Sequence, residues 1–144
     1  MMLLHATGLY WKGTGIVITG ASGSGKSDLA LRLLTLGADL IGDDYLDISK
    51  NSYGNVMMRT PPQIAGKIEV RNVGILEVPY QPESPVDLIV QLVPPEALSR
   101  LERMPDPQTY ALEGVEIPSL DFYALEASAP DKLRAALKIV LGKY

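Results

Sequence analysis

The stretch Gly20-Ala21-Ser22-Gly23-Ser24-Gly25-Lys26-Ser27 decides the fold of this chain. It fits the phosphate-loop pattern G-x-x-x-x-G-K-[ST] at every constrained position. Ile16-Val17-Ile18-Thr19 precedes it as a short apolar run, and Asp28 to Leu36 follows as an amphipathic helical stretch stopped by Gly37. The glycines let successive backbone N–H groups curl around a phosphate, and the helix start adds its dipole field. Lys26 is placed to reach terminal phosphates, and the Ser27 hydroxyl to ligate an accompanying Mg²⁺. The bland alternative is a Gly-rich strand–helix turn, which the match at both flanks disfavours.

Working outward, Leu3 to Tyr10 and Gly15 to Thr19 read as two strands joined around Trp11-Lys12-Gly13. After the helix, Ala38 to Ile41 is a short strand with Gly42-Asp43-Asp44 just past its end, where open sheets place ligand-handling groups. Tyr45 to Ser49 and Asn55 to Arg59 bracket a turn-rich Asn51 to Gly54 and predict a hairpin. Lys67 to Pro79 alternates in part, with Gly74 as a bulge or close approach. Val86 to Val93 suits a buried strand, and Pro94-Pro95 opens a short helical stretch ending near Arg100. Ala111-Leu112 and Val115 to Leu120 are further short strands. Ser128 is the expected N-cap of a terminal helix, with Pro130 in its first turn and Leu133, Leu137, Val140 and Leu141 on one face. Two helices among eight or nine strands predict an α/β phosphate-loop domain with a mixed, strand-rich sheet, spanning residues 1–144 as one unit.

Composition narrows the function classes. Thirteen basic against seventeen acidic residues give a formal charge of -4, and no basic tract points to nucleic acid. Hydrophobic residues make up 47% of the 144, ordinary for a soluble globule, yet no apolar run approaches the ~18 residues of a membrane span. Met1 to Tyr10 lacks the basic start and apolar core of a secretory signal. The absence of cysteine excludes disulfide and thiolate chemistry and fits a reducing compartment, so the expectation is a cytoplasmic protein.

Several side chains stand out as candidates. Extended backbone would point Asp43 and Asp44 opposite ways, so one is expected to face the nucleotide and the other to pair with a neighbour. The inward carboxylate could accept a proton from an attacking hydroxyl or help organise Mg²⁺. Strand periodicity places Glu69 and Arg71 on one face, as metal and phosphate ligands or as a solvent-facing pair. His5, the only histidine, ordinarily would be a structural partner in an apolar strand; in a functional role it would lie beside the aspartates or the transferred phosphoryl group. Arg103 could reach transition-state charge or remain a surface cation.

From the first strand to about residue 80, these pieces together resemble the catalytic domain of bacterial HPr kinase/phosphorylase. The matching pieces are Leu4-His5-Ala6, the loop Gly20 to Ser27, Leu40-Ile41-Gly42-Asp43-Asp44, and Ile68 to Ile75 with its Glu69-Val70-Arg71. The resemblance implies the fold of that domain, shared with phosphoenolpyruvate carboxykinase. It implies ATP- and Mg²⁺-dependent phosphorylation of a serine on HPr, the phosphocarrier of the sugar phosphotransferase system. His5 matches a charge partner in the site, Lys26 the phosphate-contacting lysine, and Asp44 the general base. Ser27 and Glu69 match the Mg²⁺ ligands, with Asp43 beside them, Arg71 on the nucleotide, and Arg103 at an active-site arginine. The chain starts almost at the first catalytic strand, as in the short form found in alphaproteobacteria without the additional N-terminal domain. The larger relatives form hexamers, which makes homo-oligomerisation an implication here. They also carry an Arg-containing stretch tied to phosphate-dependent removal of the seryl phosphate, where this chain has Phe122 to Ala129 without a basic residue. Kinase action is therefore favoured over the reverse reaction.

Two other function classes compete. A small-molecule kinase would need an Arg-rich lid and a formed acceptor pocket, and no such Arg cluster stands out. A nucleotide-sensing module would be favoured by loss of Asp44 or Glu69, and both are present.

Overall fold

Buried strands of this chain alternate between two cores, and that alternation dictates the layering. In the computed structural model, which describes residues 2–142, Ile16 and Ile18 face one apolar cluster while Val17 faces another. Leu88, Val90 and Leu92 likewise join the first cluster, and Ile89 the second. A strand buried on both faces reads as a continuous apolar run, which is how Ile16 to Ile18 and Leu88 to Leu92 look in the sequence.

These strands are β3 (Thr14–Thr19) and β10 (Leu88–Leu92). They form the parallel centre of a six-stranded sheet with β2 (Thr7–Trp11), β4 (Asp39–Gly42), β11 (Gln108–Leu112) and β12 (Val115–Phe122), ordered β11-β12-β10-β3-β2-β4. β12 is also parallel to β10, whereas β2, β4 and β11 pair antiparallel, so the sheet is mixed. Helices α1 (Lys26–Thr35) and α2 (Ala129–Leu141) pack on one face through Leu29, Leu33, Leu133 and Leu137. On the other face, β1 (Met2–Leu4), β5 (Leu46–Lys50), β6 (Val56–Arg59) and β9 (Glu83–Pro85) form a four-stranded antiparallel sheet that buries Leu46, Ile48, Val56 and Met58. A hairpin of β7 (Lys67–Val70) and β8 (Gly74–Glu77) completes the strands, and α1 contacts β7. The expected α/β class with a strand-rich mixed sheet holds, with twelve strands among the described residues in place of eight or nine.

Several local expectations need correction. Leu3 to Tyr10 is two strands, because the chain crosses from one sheet to the other at His5-Ala6, where the Ala6 amide donates to the Asp44 carbonyl at 3.0 Å. Arg71 lies outside the strand that carries Glu69. β7 ends at Val70, and Arg71-Asn72-Val73 turn the hairpin with Asn72 at φ 69°. Gly74 closes that turn in regular register with Val70, with open space at its missing side chain, so it marks neither a bulge nor a close approach. Ser128 precedes α2 without a side-chain capping bond, and Val140 is exposed, off the buried face of the helix. The short strand β9 escaped sequence reading because Glu83-Ser84-Pro85 offers three residues with a proline at an edge. Among the described residues, no helix is long and apolar enough to cross a membrane.

Candidate active site

The loop between β3 and α1 is held open by its own backbone. Gly23 and Gly25 take φ of 82° and 103°, which side chains of L-residues seldom adopt, and Gly25 leads directly into the first turn of α1. Lys26 is buried beneath the loop, its Nζ donating to the carbonyls of Gly20 at 2.7 Å and Ala21 at 3.2 Å. An ammonium has three protons, so these two bonds leave one for a ligand in the loop.

The sheet order brings the acids to the same place. β2 separates β3 from β4, so the residues after β4 emerge two strands away from the loop. Asp43 accepts from Ser27 Oγ at 3.0 Å, and more weakly from Thr7 Oγ1 and the Glu69 amide, each at 3.4 Å. Burial pushes the Asp43 carboxyl above its ordinary value, and the charge of Asp44 adds to the rise. The bonds from Ser27, Glu69 and Thr7 oppose it.

Asp44 faces the same cleft, contrary to the alternation expected of extended chain. Its φ of 77° takes it out of the strand conformation and swings its carboxylate back. There Asp44 Oδ1 accepts from His5 Nε2 at 2.9 Å, leaving Oδ2 for an incoming group. The His5 ring is braced by Tyr45, with centroids 5.1 Å apart. His5 therefore stands beside an aspartate at the sheet crossing, out of the apolar strand in which periodicity had put it.

His5, Lys26, Ser27, Asp43, Asp44, Glu69 and Arg71 all line one cleft of about 640 Å³, together with Ser22, Gly23 and Gly25 of the loop. A second depression of about 850 Å³ shares Asp43 and Glu69 and runs along the β7–β8 hairpin past Ile64, Ile75 and Leu76. Arg103 is not brought to the cleft. It is exposed in an irregular segment before β11 and is absent from the lining residues. Three side chains that the sequence did not single out border the site. Thr7 is buried and bonded to Asp43, a position legible in hindsight because it follows His5-Ala6 on the strand next to β4. Leu125 lines the cleft from the segment before α2, and Arg32 holds that segment.

The donor set fits a hard cation carried in with phosphates. Four acidic side chains, Asp28, Asp43, Asp44 and Glu69, line the cleft with two basic ones, Lys26 and Arg71, so acidic groups outnumber basic ones there. Among the described residues, no group of three or more His, Cys, Asp or Glu side chains is arranged to hold a metal by itself. A Mg²⁺ ion would need only one or two protein oxygens, its other ligands being waters and phosphates.

A phosphate loop ahead of a helix, acids past a strand two places away in the sheet and a mixed sheet define the phosphate-loop kinase fold. The HPr Serine kinase C-terminal domain model matches residues 2–128, and the chain belongs to that family. An HPr kinase/phosphorylase of Bordetella petrii is 36% identical over 100 residues, covering 65% of this chain and 32% of that protein. One from an Acidovorax species is 33% identical over 123 residues, covering 79% of this chain and 39% of that protein. The chain thus spans about a third of the length of the curated relatives it matches. The solved structure of the Hpr(Ser) kinase/phosphatase from Coxiella burnetii superposes with a TM-score of 0.82 at 27% identity, over 95% of this chain and 88% of that one.

Proposed function

We propose that this chain is a protein-serine kinase domain that transfers the γ-phosphoryl group of ATP to a seryl hydroxyl on HPr or a close relative. The observation that carries this reading is the His5–Asp44 pair opening onto the same cleft as Lys26 and Ser27. A phosphate loop explains nucleotide binding alone. A carboxylate with one oxygen oriented by a histidine and the other free is what phosphoryl transfer to a hydroxyl adds.

In the proposed reaction, loop amides and Lys26 hold the nucleotide phosphates. Asp44 Oδ2 accepts the seryl proton as the seryl oxygen bonds to the γ-phosphorus and the bond to the leaving ADP oxygen breaks. His5, donating to Asp44 Oδ1, fixes the carboxylate's orientation. Ser27 and Glu69, with Asp43 behind Ser27, would hold Mg²⁺, which when bound neutralises phosphate charge. Arg71 supplies a further cation at the rim. Arg103 has no part in this reading. The reverse reaction is disfavoured, because Phe122 to Ala129, the stretch ahead of α2, carries no basic residue to attract inorganic phosphate.

The test is intact mass of an HPr-type phosphocarrier after incubation with this protein, ATP and Mg²⁺. A gain of ~80 Da on a serine is expected, and Asp44→Asn should slow it by about 10²- to 10⁴-fold while leaving ATP bound. An unmodified acceptor in the presence of demonstrated ATP binding would favour the nucleotide-sensing alternative.

A further inference from the structure

The phosphate loop has two flanks, and only one of them is accounted for by the chemistry above. In the six-stranded sheet the loop follows β3; the acids follow β4, two strands away on one side. β12 lies two strands away on the other side, and the segment after it returns to the loop. That segment, residues 123–128, has no regular secondary structure between β12 and α2.

What orders it is one side chain of α1. Arg32 Nη1 donates to the Ala124 carbonyl at 2.7 Å, and Nη2 to those of Glu126 at 2.5 Å and Ala127 at 3.5 Å. Asp28, one turn earlier on α1, accepts from the same guanidinium at 3.4 Å and helps aim it. A rigid planar fork can serve several carbonyls at once, which an ammonium on a flexible stem cannot reproduce. Lys132 pins the Glu126 side chain from α2 at 2.6 Å.

The consequence is the position of Leu125. Ala124 is fully buried, and the next side chain, Leu125, turns outward over the phosphate loop with 43% of its surface exposed. It lies so close that a Cβ on Gly25 would come within 2.9 Å of Leu125 Cδ2. Leu31 lines the same wall. On the β12 flank of the loop Leu125 and Leu31 thus offer apolar surface beside the Arg32-paired Asp28, while the reacting aspartates lie on the β4 flank. A nucleotide with its γ-phosphate toward Asp44 runs its nucleoside end toward Leu125.

We propose that Arg32 is a positioning residue that straps residues 124–127 to α1 and so holds Leu125 as an apolar shelf for the ribose and base of the bound nucleotide. The shelf rests on the nucleotide reading of the cleft; the strap does not.

Two measurements on the full chain separate these parts. The first is amide hydrogen exchange without nucleotide. Arg32→Met should accelerate exchange at the amides of Ala129 and Lys132, which donate to Glu126 and Ser128, and leave the β3 amides unchanged. Unaltered protection there overturns the strap.

The second is calorimetric affinity for Mg²⁺-ATP. Covering a half-exposed leucine corresponds to about fivefold in affinity, so Leu125→Ala and Arg32→Met should each weaken binding about fivefold. Because Arg32 acts through Leu125, the double variant should also lose about fivefold rather than about 25-fold. Arg32→Lys should resemble Arg32→Met. Unchanged affinity in Leu125→Ala, or multiplicative losses in the double variant, overturns the shelf. Should Arg32→Met fail to fold, Leu125→Ala, which removes no hydrogen bond, decides the shelf and Arg32→Lys the strap. If the unaltered chain binds no ATP, the nucleotide reading falls and the shelf with it, while the exchange result still judges the strap.

Discussion

Asp43 shows how much one partly buried carboxylate can report. Loss of water raises its pKa, and hydrogen bonds from Ser27, Glu69 and Thr7 recover only part of that cost. An acid with a folded pKa above its unfolded value near 3.8 holds its proton more tightly in the folded chain. Stability therefore falls as pH rises from there through the folded pKa, and the penalty is complete above it. Asp43→Asn keeps an acceptor for Ser27 and removes the charge. Its stability relative to the unaltered chain is expected to rise between about pH 3.5 and about pH 7, followed by urea unfolding at each pH. A difference that stays constant across that range contradicts the assignment. At this scale the sequence identified the two acids but misplaced one. Nothing in Gly42-Asp43-Asp44-Tyr45 announces that Asp44 takes φ of 77°, the centre of a tight turn in which the Tyr45 amide bonds the Asp43 carbonyl at 2.9 Å while the Ala6 amide holds the Asp44 carbonyl from the neighbouring segment.

Among the elements, β3 carries the loop and is also one of the strands through which the two sheets touch. The Gly15 amide donates to Asp87 Oδ2 at 2.8 Å, and the Asp87 amide returns a bond to the Gly15 carbonyl at 2.8 Å. A Cβ at Gly15 would lie 1.7 Å from the Pro85 carbonyl oxygen, so β9 approaches β3 at a distance only glycine allows. Backbone cannot move aside as a side chain can. Gly15→Ala is expected to cost about 3 kcal/mol or more in urea unfolding, as overpacking against fixed structure does. Wild-type stability in that variant would mean the two sheets are not seated against each other there. Local signals found most elements because each is written in a few adjacent residues: the loop with its helix, the hairpin around Asn51 to Gly54, and the apolar run of β10. They missed the crossing at His5-Ala6 and the edge strand β9, which exist only because a distant strand offers pairing partners. The same limit hid Arg32. As an isolated residue on an amphipathic helix it reads as a surface cation, and its carbonyl partners lie 92 to 95 positions away.

Across the whole molecule, the cleft sits where the six-stranded sheet, α1 and the β7–β8 hairpin meet, so its residues come from segments 5 to 71 and from Leu125. No single element holds it. Ligand binding should therefore tie together parts of the chain that otherwise depend on separate apolar clusters, one beneath the helices and one between the sheets. A ligand that binds only the folded state adds about 2.7 kcal/mol at a hundredfold excess over its Kd. For a chain of 144 residues, about 3 °C accompanies each kcal/mol, so Mg²⁺-ATP at that excess should raise Tm by about 8 °C. Lys26→Ala should remove most of the rise, since it takes away the one ammonium under the loop. Glu69→Gln should remove the part that requires Mg²⁺ and leave a smaller response to ATP with chelator. The three proteins melted side by side by calorimetry distinguish a phosphate loop that engages nucleotide from a Gly-rich turn that merely resembles one. An equal rise in all three would place the nucleotide elsewhere on the surface, and no rise in any would leave the loop without the ligand its residues are arranged to receive.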